Sequence, residues 1–322
     1  MNHQPVDTTT ANSFLPQVSV VVPIYNGEAD LPDLLCCLLS QTYPKDRVEY
    51  LLVDNNSSDR TLTFLKTSAE NCPIKIYPLS ENQIQSSYAA RNTGIRAATG
   101  KIVVFTDADC RPQPQWLNAL IQPFVNSEVV IVAGEIVALP GKTLLEQHAD
   151  RQETLSQKHT LGHSFHPYGQ TANLAIRRIA LEKAGLFRPY LTSGGDADIC
   201  WRILLGNIGR LEFAPEAIVQ HRHRATLKEL QSQWRRYGRS NHYLHELHGV
   251  ELMRQITLQE CSYRLARWLL KEVPRESVKA IAGKATLVDI LNTPIGLFSA
   301  RARSAGQQDA KLPENAKIIE WL

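Results

Sequence analysis

Apolar, strand-like segments alternate with amphipathic, helix-like segments through the first 125 residues of the chain. The apolar segments VSVVVPIY, VEYLLVD, IKIYPL and KIVVFTD are separated by LPDLLCCLLSQ, TLTFLKTSAE and SSYAARNTGIRAA, with short links between them. Such alternation is typical of βαβ units, in which right-handed crossovers join parallel strands and helices cover both faces of the sheet. The pattern therefore predicts an α/β fold with a mainly parallel sheet flanked by helices.

The second part of the chain is less regular. We predict a further strand over 129–139, a short amphipathic helix over 196–205 and a last strand over 211–221. The polar, His-rich segment 140–172 is predicted to be a loop or an excursion of the chain over the functional site.

The C-terminal part predicts a helical extension. Residues 225–302 have helical periodicity, and we expect breaks at Pro274 and Pro294 because proline interrupts a helix. The residues after 303 are polar and predict a mobile tail. These boundaries divide the chain into a polar leader (1–17), an α/β domain (18–224), a basic helical region (225–303) and a tail (304–322).

Charge is unevenly distributed along the chain. The net charge of the 322 residues is +3, which argues against a nucleic-acid partner. Residues 221–303, however, contain 15 basic and 7 acidic side chains. A basic C-terminal part indicates an anionic partner such as a membrane surface, although a solvated helical face explains any single stretch of it equally well.

Cysteine usage and hydropathy bear on where such a chain would work. The six cysteines include no CxxC pair, which is typical of reduced intracellular thiols. The N-terminal segment has neither a basic start nor an apolar core, so we predict no signal peptide. No apolar run reaches the roughly 18 residues of a membrane span, and the nearest candidate, 286–300, contains Asp289 and Pro294. We therefore expect a cytoplasmic protein that is peripheral on the inner face of the plasma membrane.

Polar side chains follow three of the predicted strands at the points where those strands end. They are Tyr25 with Asn26, Asp54 with the two asparagines after it, and Asp107 with Asp109. Because ligands of open α/β sheets bind outside the carboxyl ends of the strands, these groups are expected to meet at one edge. Asp and Asn also favour turns and caps, but three such ends together favour a binding site.

Asp107 and Asp109 are separated by one residue beyond a buried strand. Two carboxylates with this spacing reach one hard divalent cation, and Mg²⁺ or Mn²⁺ commonly joins protein carboxylates to a substrate diphosphate. His221 and His223 follow the last predicted strand. If that strand returns beside Asp109, either histidine could complete the metal site, and the sequence does not distinguish them.

A second acidic pair, Asp196 and Asp198, begins a predicted helix in SGGDADICWR. Negative charge at a helix N-terminus is favourable by itself, which is the purely structural explanation. The preceding glycines, Gly194 and Gly195, allow a ligand to approach the backbone closely, which favours a functional role.

Other motifs are excluded by their spacing. The GKT of GEIVALPGKT lacks a glycine at the P-loop position, and no GxGxxG follows a strand, which disfavours a dinucleotide-binding dehydrogenase. Three histidines, His242, His245 and His248, step by three residues and are expected to decorate a helix surface rather than bind zinc.

Taken in order, these segments resemble the inverting family 2 glycosyltransferases with the GT-A (Rossmann-like) fold, over about residues 18–240. VSVVVPIYNGEADLPDLLCCLLSQTYP resembles the opening strand and helix of that family, and LLVDNNSSDRT resembles its nucleotide-binding strand end. AARNTGIRAATGKIVVFTDADCRPQPQWL is similar to its most diagnostic stretch, which contains a DxD motif. QWRRY resembles the QxxRW motif of processive polysaccharide synthases, with Tyr237 in place of tryptophan.

The resemblance implies a role for each matching residue. Asp196 would be the catalytic base, with Asp198 in reserve, and Gly195 stands where the family usually has glutamate. The metal ligands would be Asp109 and His221. The donor-binding residues would be Pro23, Tyr25, Asn26, Asp54, Arg91 and Asp107, with Asp54 on the nucleobase. The acceptor-side residues would be Thr171, Asn173, Asp198, Gln233, Arg236 and Tyr237.

The resemblance also implies an activity. It is the metal-dependent, inverting transfer of a sugar from a UDP- or GDP-linked donor to a hydroxyl of a glycan or lipid-linked acceptor, in cell-envelope or exopolysaccharide synthesis. A divalent cation, Mn²⁺ or Mg²⁺, would be the cofactor. Two alternatives remain at this point, a nucleotidyltransferase and a non-catalytic nucleotide-sugar-binding protein. The first would normally have a Gly-rich basic loop after its first strand, whereas PIYNGEADLP has one glycine and two acids.

Overall fold

The computed structural model describes residues 14–322, so most of the predicted leader lies outside the described residues. One eight-stranded sheet runs through the molecule. Its strands are β1 (Val18–Ile24), β2 (Val48–Asp54), β3 (Ile76–Ser80), β4 (Ile102–Thr106), β5 (Cys110–Pro112), β6 (Val129–Ala138), β7 (Asn173–Arg177) and β8 (Arg210–His221). Their order across the sheet is β3-β2-β1-β4-β7-β6-β8-β5.

The first four strands of this order are parallel, as predicted. Every residue of β1 and β4 is buried, because helices cover both faces of the sheet here. The connecting helices are α1 (Leu31–Leu39), α2 (Thr61–Asn71) and α3 (Ser87–Ala97). The α/β fold with a mainly parallel sheet and flanking helices is confirmed.

The remaining strands make the sheet mixed. After β4 the chain forms the short β5 and then α4 (Trp116–Ile121) before β6. Strand β7 is antiparallel to both β4 and β6, whereas β8 is parallel to β6. Strand β5 pairs antiparallel with the end of β8, so Cys110 lies opposite His221. This pairing brings the end of β8 next to the segment that follows β4.

The segment predicted as a loop, 140–172, contains two short helices. They are α5 (Leu144–Arg151) and α6 (Gln157–Leu161). The first begins with a capping box, in which the Thr143 side chain accepts from the Glu146 backbone N–H and Glu146 in turn accepts from the backbone N–H of Thr143. The absence of helices was wrongly predicted, because helices this short give no clear apolar period. The same segment does contribute residues such as Thr171 to the wall of the cavity described below.

Two elements that the sequence pattern did not reveal follow this segment. They are β7 itself and α7 (Arg178–Ala184), and the predicted helix α8 (Gly195–Leu205) comes next. With only five residues, β7 gives too weak a periodic signal to be recognised by itself.

The helical extension consists of α9 (Leu227–His248), α10 (Leu258–Arg267), α11 (Val273–Ile281) and α12 (Leu287–Gln308), and a π-helical turn joins α10 to α11. The predicted break at Pro294 was wrong, because Pro294 lies inside α12. Pro274 does lie at an interruption of the α-helical pattern, since it occupies the first turn of α11 directly after the π-helical turn. Two further interruptions occur near Gly249 and Gly283, which have φ of +71° and +69°, values that favour glycine.

The residues after 303 are not a loose tail in the structure. Helix α12 continues to Gln308, and Ala310 and Ala316 are buried in the core beside α7 and α8. The Glu320 carboxylate accepts hydrogen bonds from Asn92 (2.9 Å) and Arg96 (2.6 Å) of α3. The polar composition of this segment therefore reflects specific contacts with the α/β domain.

Helices α9 and α12 pack together through glycine. A Cβ atom at Gly306 would lie 2.0 Å from the backbone oxygen of Arg235, and one at Gly238 would lie 2.0 Å from that of Arg303. The helices can approach this closely only because neither position has a side chain. By contrast, a Cβ atom at Gly296, also in α12, would meet nothing within 4 Å.

We therefore expect Gly306→Ala to lower the free energy of unfolding by about 1–3 kcal/mol, since the added methyl group overpacks the helix contact. The matched substitution Gly296→Ala should raise it by up to about 1 kcal/mol through helix propensity alone. Urea denaturation of both variants measures the difference. Equal stability of the two variants would contradict the close packing of α9 on α12.

Candidate active site

A cavity of about 200 Å³ lies where α3, the segment before β7, the start of α8 and the middle of α9 meet. Several predicted residues line it together. They are Arg91, Asp107, Thr171, Asp196, His221, Gln233, Arg236 and Tyr237. Residues separated by more than a hundred positions in the sequence are thus brought to one pocket.

Asp196 lies at the first turn of α8 and faces this cavity, half-buried. Thr171 orients its carboxylate, because the Thr171 hydroxyl donates to Oδ1 at 2.9 Å and the Thr171 backbone N–H donates to Oδ2 at 3.4 Å. Burial raises the pKa of Asp196, while the charge of Arg91 and the bonds from Thr171 oppose that rise. A carboxylate with a raised pKa is a stronger base, which suits proton abstraction.

Asp107, at the mouth of β4, forms an ion pair with Arg91. The Arg91 Nη2 donates to Asp107 Oδ1 at 2.6 Å, and the Arg91 side chain is almost fully buried. Arg91 Nε is buried without a hydrogen-bond partner. A buried donor without a partner is costly.

Asp109 and His221 form the second polar pair. The His221 Nε2 lies 3.3 Å from Asp109 Oδ1, and its Nδ1 lies 2.7 Å from the backbone oxygen of Arg222. In the neutral imidazole, a hydrogen bond from Nδ1–H to that oxygen leaves Nε2 with a lone pair directed at Asp109. This is the arrangement in which metal-binding histidines are usually held.

The potential ligand atoms of Asp107, Asp109, Cys110 and His221 lie within 4.8 Å of one another. Burial raises the pKa of the Cys110 thiol well above its ordinary value, so this group stays protonated and does not suit a hard cation. His223 lines a different cavity, near Asp150 and Glu153. The structure therefore places His221, and not His223, beside Asp109.

The predicted nucleotide-binding residues share the same sheet edge, where the ends of β1 and β2 pair. Pro23 is buried within β1, and Tyr25 is exposed after it. Asn26 ties the two strand ends together, because its Oδ1 accepts from the Ser58 backbone N–H at 2.8 Å. Asp54 is buried, and its Oδ1 has no hydrogen-bond partner.

The QWRRY segment lies on α9, which closes one side of the cavity. Gln233 is buried and donates to the Tyr237 hydroxyl at 3.1 Å, and Arg236 extends to the cavity with its side chain exposed. The spacing of these residues puts them on one helix face, as expected for positions three and four apart.

Asp198 is not part of the cavity. It is fully buried and accepts from Arg188 Nε (2.9 Å) and Arg202 Nε (3.0 Å), and it lies 3.0 Å from His248 Nε2. These partners lower the pKa of Asp198 to about 2 despite burial, so it carries a charge that holds α8 to the end of α9. The expectation that His248 lies on a helix surface was wrong, because His248 contacts this buried carboxylate.

Asn173 is also a structural residue in this geometry. Its Oδ1 accepts from the Trp116 indole at 2.8 Å, and its Nδ2 donates to the backbone oxygens of Glu135 (2.8 Å) and Ala217 (2.7 Å). All of its hydrogen-bonding capacity holds β6, β7 and β8 together. We therefore do not include Asn173 or Asp198 in the acceptor site proposed below.

Tyr88 is a cavity residue that the sequence did not reveal. Its hydroxyl accepts from the Gly195 backbone N–H at 3.0 Å, and a Cβ atom at Gly195 would lie 2.7 Å from its ring. The Tyr88 ring thus occupies the space that a side chain at 195 would need, which explains the glycine in place of the usual glutamate. Arg224 and Ser240 are further cavity residues that no motif marked.

The family is decided by sequence comparison. The sequence model described as glycosyl transferase family 2 matches residues 19–185, which is more than half of the chain. The chain belongs to glycosyltransferase family 2. The resemblance on which we based the expectations above is therefore confirmed at the level of family.

Several named glycosyltransferases are similar in sequence to this chain. Glycosyltransferase AglE of Haloferax volcanii is 33% identical over 80% of this chain and 81% of its own length. The pre-mycofactocin glycosyltransferase of Mycobacterium tuberculosis is 31% identical over 69% of this chain and 46% of its own length. The undecaprenyl-phosphate 4-deoxy-4-formamido-L-arabinose transferase of Pseudomonas aeruginosa is 28% identical over 57% of this chain. The chain thus spans about half the length of the last two relatives.

Solved structures support the GT-A fold. The mannosyltransferase PcManGT of Pyrobaculum calidifontis, in complex with GDP-Man and Mn²⁺, superposes with a TM-score of 0.62 at 19% identity, covering 92% of this chain and 89% of that protein. TarS of S. aureus, in complex with UDP, gives a TM-score of 0.51 at 18% identity and covers 91% and 90%. Within residues 14–322, no helix is both long and apolar enough for a membrane span.

We expect Asp198→Asn to lower the free energy of unfolding at pH 7 by about 3–5 kcal/mol, because two buried arginines lose their counter-charge. The folded-state pKa of Asp198 is depressed, so its contribution is present above the unfolded-state value of about 4 and is lost as pH falls toward 2. The wild type should therefore lose more stability than the variant between pH 4 and pH 2. Thermal unfolding across this pH range, with Asp46→Asn as an exposed control, tests both statements.

Proposed function

We propose that the chain transfers a sugar from a nucleotide-diphosphate donor to a hydroxyl of an acceptor, with inversion at the anomeric carbon. The observation that carries this proposal is the Asp196 carboxylate. It faces the cavity in an orientation set by Thr171, and the Arg91–Asp107 pair lines the same cavity. These contacts support a base and a site for an anionic leaving group in the same cavity.

The donor would span the sheet edge from Asp54 to the cavity. Asp54 Oδ1 would accept a nucleobase N–H, and Arg91 Nε would donate to the diphosphate, so these two buried atoms would each gain a partner. A UDP- or GDP-linked sugar fits this scheme. The two solved structures of similar fold were obtained with GDP-Man and with UDP, which supports the same donor class.

Asp109 and His221 would hold the divalent cation, with Asp107 on the donor side. One carboxylate and one imidazole with a free Nε2 suit Mn²⁺ or Mg²⁺, and the PcManGT structure with Mn²⁺ supports this choice. Such a cation would supply charge neutralisation at the leaving diphosphate.

Asp196 would perform the proton transfer. The acceptor hydroxyl gives its proton to the Asp196 carboxylate while its oxygen forms a bond to the anomeric carbon. The bond from that carbon to the diphosphate oxygen breaks on the opposite face, and the nucleoside diphosphate leaves with the electron pair. A single displacement of this kind inverts the configuration. General-base assistance contributes roughly 10²–10⁴-fold to such a step.

The acceptor would lie against α9, beside Gln233, Arg236 and Tyr237. We propose a glycan or lipid-linked acceptor of the cell envelope or an exopolysaccharide, and the undecaprenyl-phosphate transferase among the relatives supports the lipid-linked class. We also propose that the basic helical region (225–303) attaches the protein to an anionic membrane face on the cytoplasmic side. A membrane-bound acceptor would then be within reach of the cavity.

Asp196→Asn is expected to lower the turnover number by about 10²-fold or more, because an amide cannot accept the proton. Donor affinity should remain within about twofold, since the substitution retains the size and the bond from Thr171. Single-turnover kinetics with a panel of nucleotide-sugars and calorimetric donor titration provide the two measurements. Normal turnover of this variant would exclude Asp196 as the base, and donor binding without any transfer or hydrolysis by the wild type would favour a non-catalytic binder.

The histidine pair offers a matched test of the metal site. We expect Asp109→Ala and His221→Gln each to lower the Mn²⁺-dependent part of donor affinity by at least about tenfold, because each removes one cation ligand. His223→Gln should not, since His223 lines a separate cavity. Calorimetry of donor binding with Mn²⁺ and with a chelator separates the metal-dependent part. Unchanged affinity in the first two variants would reject the assignment.

A further inference from the structure

Helices α10 and α11, with the π-helical turn between them, form an arm that the rest of the protein leaves uncovered. None of their residues, 258–281, is buried. Leu270 and Ile281 are 74% and 88% exposed. Further exposed apolar side chains on these elements are Leu258, Tyr263, Leu265, Leu269 and Val278. We call residues 254–284 the basic arm.

The contacts of the basic arm with the protein use its other side. The Trp268 indole donates to the backbone oxygen of Ile290 at 2.7 Å, and the Thr293 hydroxyl donates to the Glu272 carboxylate at 2.5 Å. Both partners lie on α12. The exposed leucines therefore take no part in these contacts with α12, and an uncovered apolar surface of this size marks a region that contacts something else.

The charges of the basic arm point outward. It contains seven basic and three acidic residues. In each ion pair that its glutamates make, the acid is the less exposed partner. For example, Arg254 is 84% exposed and Glu260 22%, and Arg275 is 74% exposed and Glu276 19%. The outer surface of the arm is therefore cationic as well as apolar.

We propose that the basic arm lies in the interface of an anionic phospholipid bilayer, with its exposed leucines among the acyl chains and its arginines and lysines at the headgroups. A helix with one apolar face and a Lys/Arg-rich polar face binds in this way, and each basic group near an anionic surface adds to the attraction. The proposal narrows the membrane partner suggested above to one element and rests on that part of the proposed function. It does not depend on the transfer reaction.

Attachment through the arm would place the acceptor side of the cavity near the bilayer. The arm is joined to α12, α12 packs closely on α9, and α9 carries the Gln233, Arg236 and Tyr237 face of the cavity. A lipid-linked acceptor extending from the same bilayer would meet the acceptor side of the site rather than the nucleobase end.

Flotation with vesicles tests the proposal on the full chain. The wild type should be recovered with phosphatidylglycerol-rich vesicles and not with phosphatidylcholine vesicles at about 0.1 M salt, and recovery should fall at about 1 M salt as screening increases. Leu269→Glu/Leu270→Glu and Lys271→Gln/Arg275→Gln should each weaken the vesicle partition coefficient by about tenfold or more. All four positions are exposed or half-exposed, so the fold should be retained.

Matched variants on the α/β domain control for hydrophobicity and charge. Val125→Glu/Ile179→Glu changes two exposed apolar side chains, and Arg47→Gln/Arg210→Gln removes two surface charges. Both should float like the wild type, and Mn²⁺-dependent donor binding should confirm that every variant is folded.

Equal wild-type recovery with both vesicle types, or recovery with neither, would overturn the proposal, and so would arm variants that float normally. A change of oligomeric state in the arm variants without a change in flotation would assign the surface to a second copy of the chain. Vesicle binding by a protein that transfers no sugar would count against the proposed reaction and leave the arm assignment standing.

Discussion

Parallel pairing of β1 with β2 and β4 is the constraint on which the site depends. It fixes the carboxyl ends of three buried strands at one edge of the sheet, where Asp54 and Asp107 leave the core. These strands are almost entirely apolar, so a shift of one strand along its neighbour would expose buried valines and leucines. The register is therefore fixed, and with it the positions of the polar residues at the strand ends. Strand β5 then pairs antiparallel with the end of β8. This pairing brings His221, the last residue of β8, to the same edge of the sheet.

The features that repeat along the sequence were the predictable ones. The period of the apolar segments gave the first four strands, their helices and the α/β class, and the strand ends pointed to Asp54, Asp107 and Asp109. Asp196 and Asp198 show where this reasoning stops. Two positions apart on a helix differ by about 200° in direction, so one faces the cavity and the other the core, and only packing decides which. The sequence alone could not choose between them.

Contacts between distant segments were equally beyond prediction. Tyr88 fills the space above Gly195 from the start of another helix, and Glu320 bonds to Asn92 across more than two hundred residues. The effect of proline was only partly predictable, because α12 continues through Pro294, whereas α11 begins one residue before Pro274. The helices end instead near Gly249 and Gly283, where the backbone is left-handed. Glycine permits this conformation, but a glycine in the sequence does not by itself predict it.

The C-terminal segment has a consequence for how this fold can be divided. The match to the family ends at residue 185, yet the carboxylate of Glu320 accepts hydrogen bonds from two residues of α3, and the backbone oxygen of Glu320 accepts from the N–H of Leu186. Arg91, which pairs with Asp107, lies on the same helix turn as Asn92. A truncation that removed the last few residues would therefore remove these contacts with α3, the helix that carries the buried Arg91, although every family motif would remain. The family domain in this chain is not a separable module.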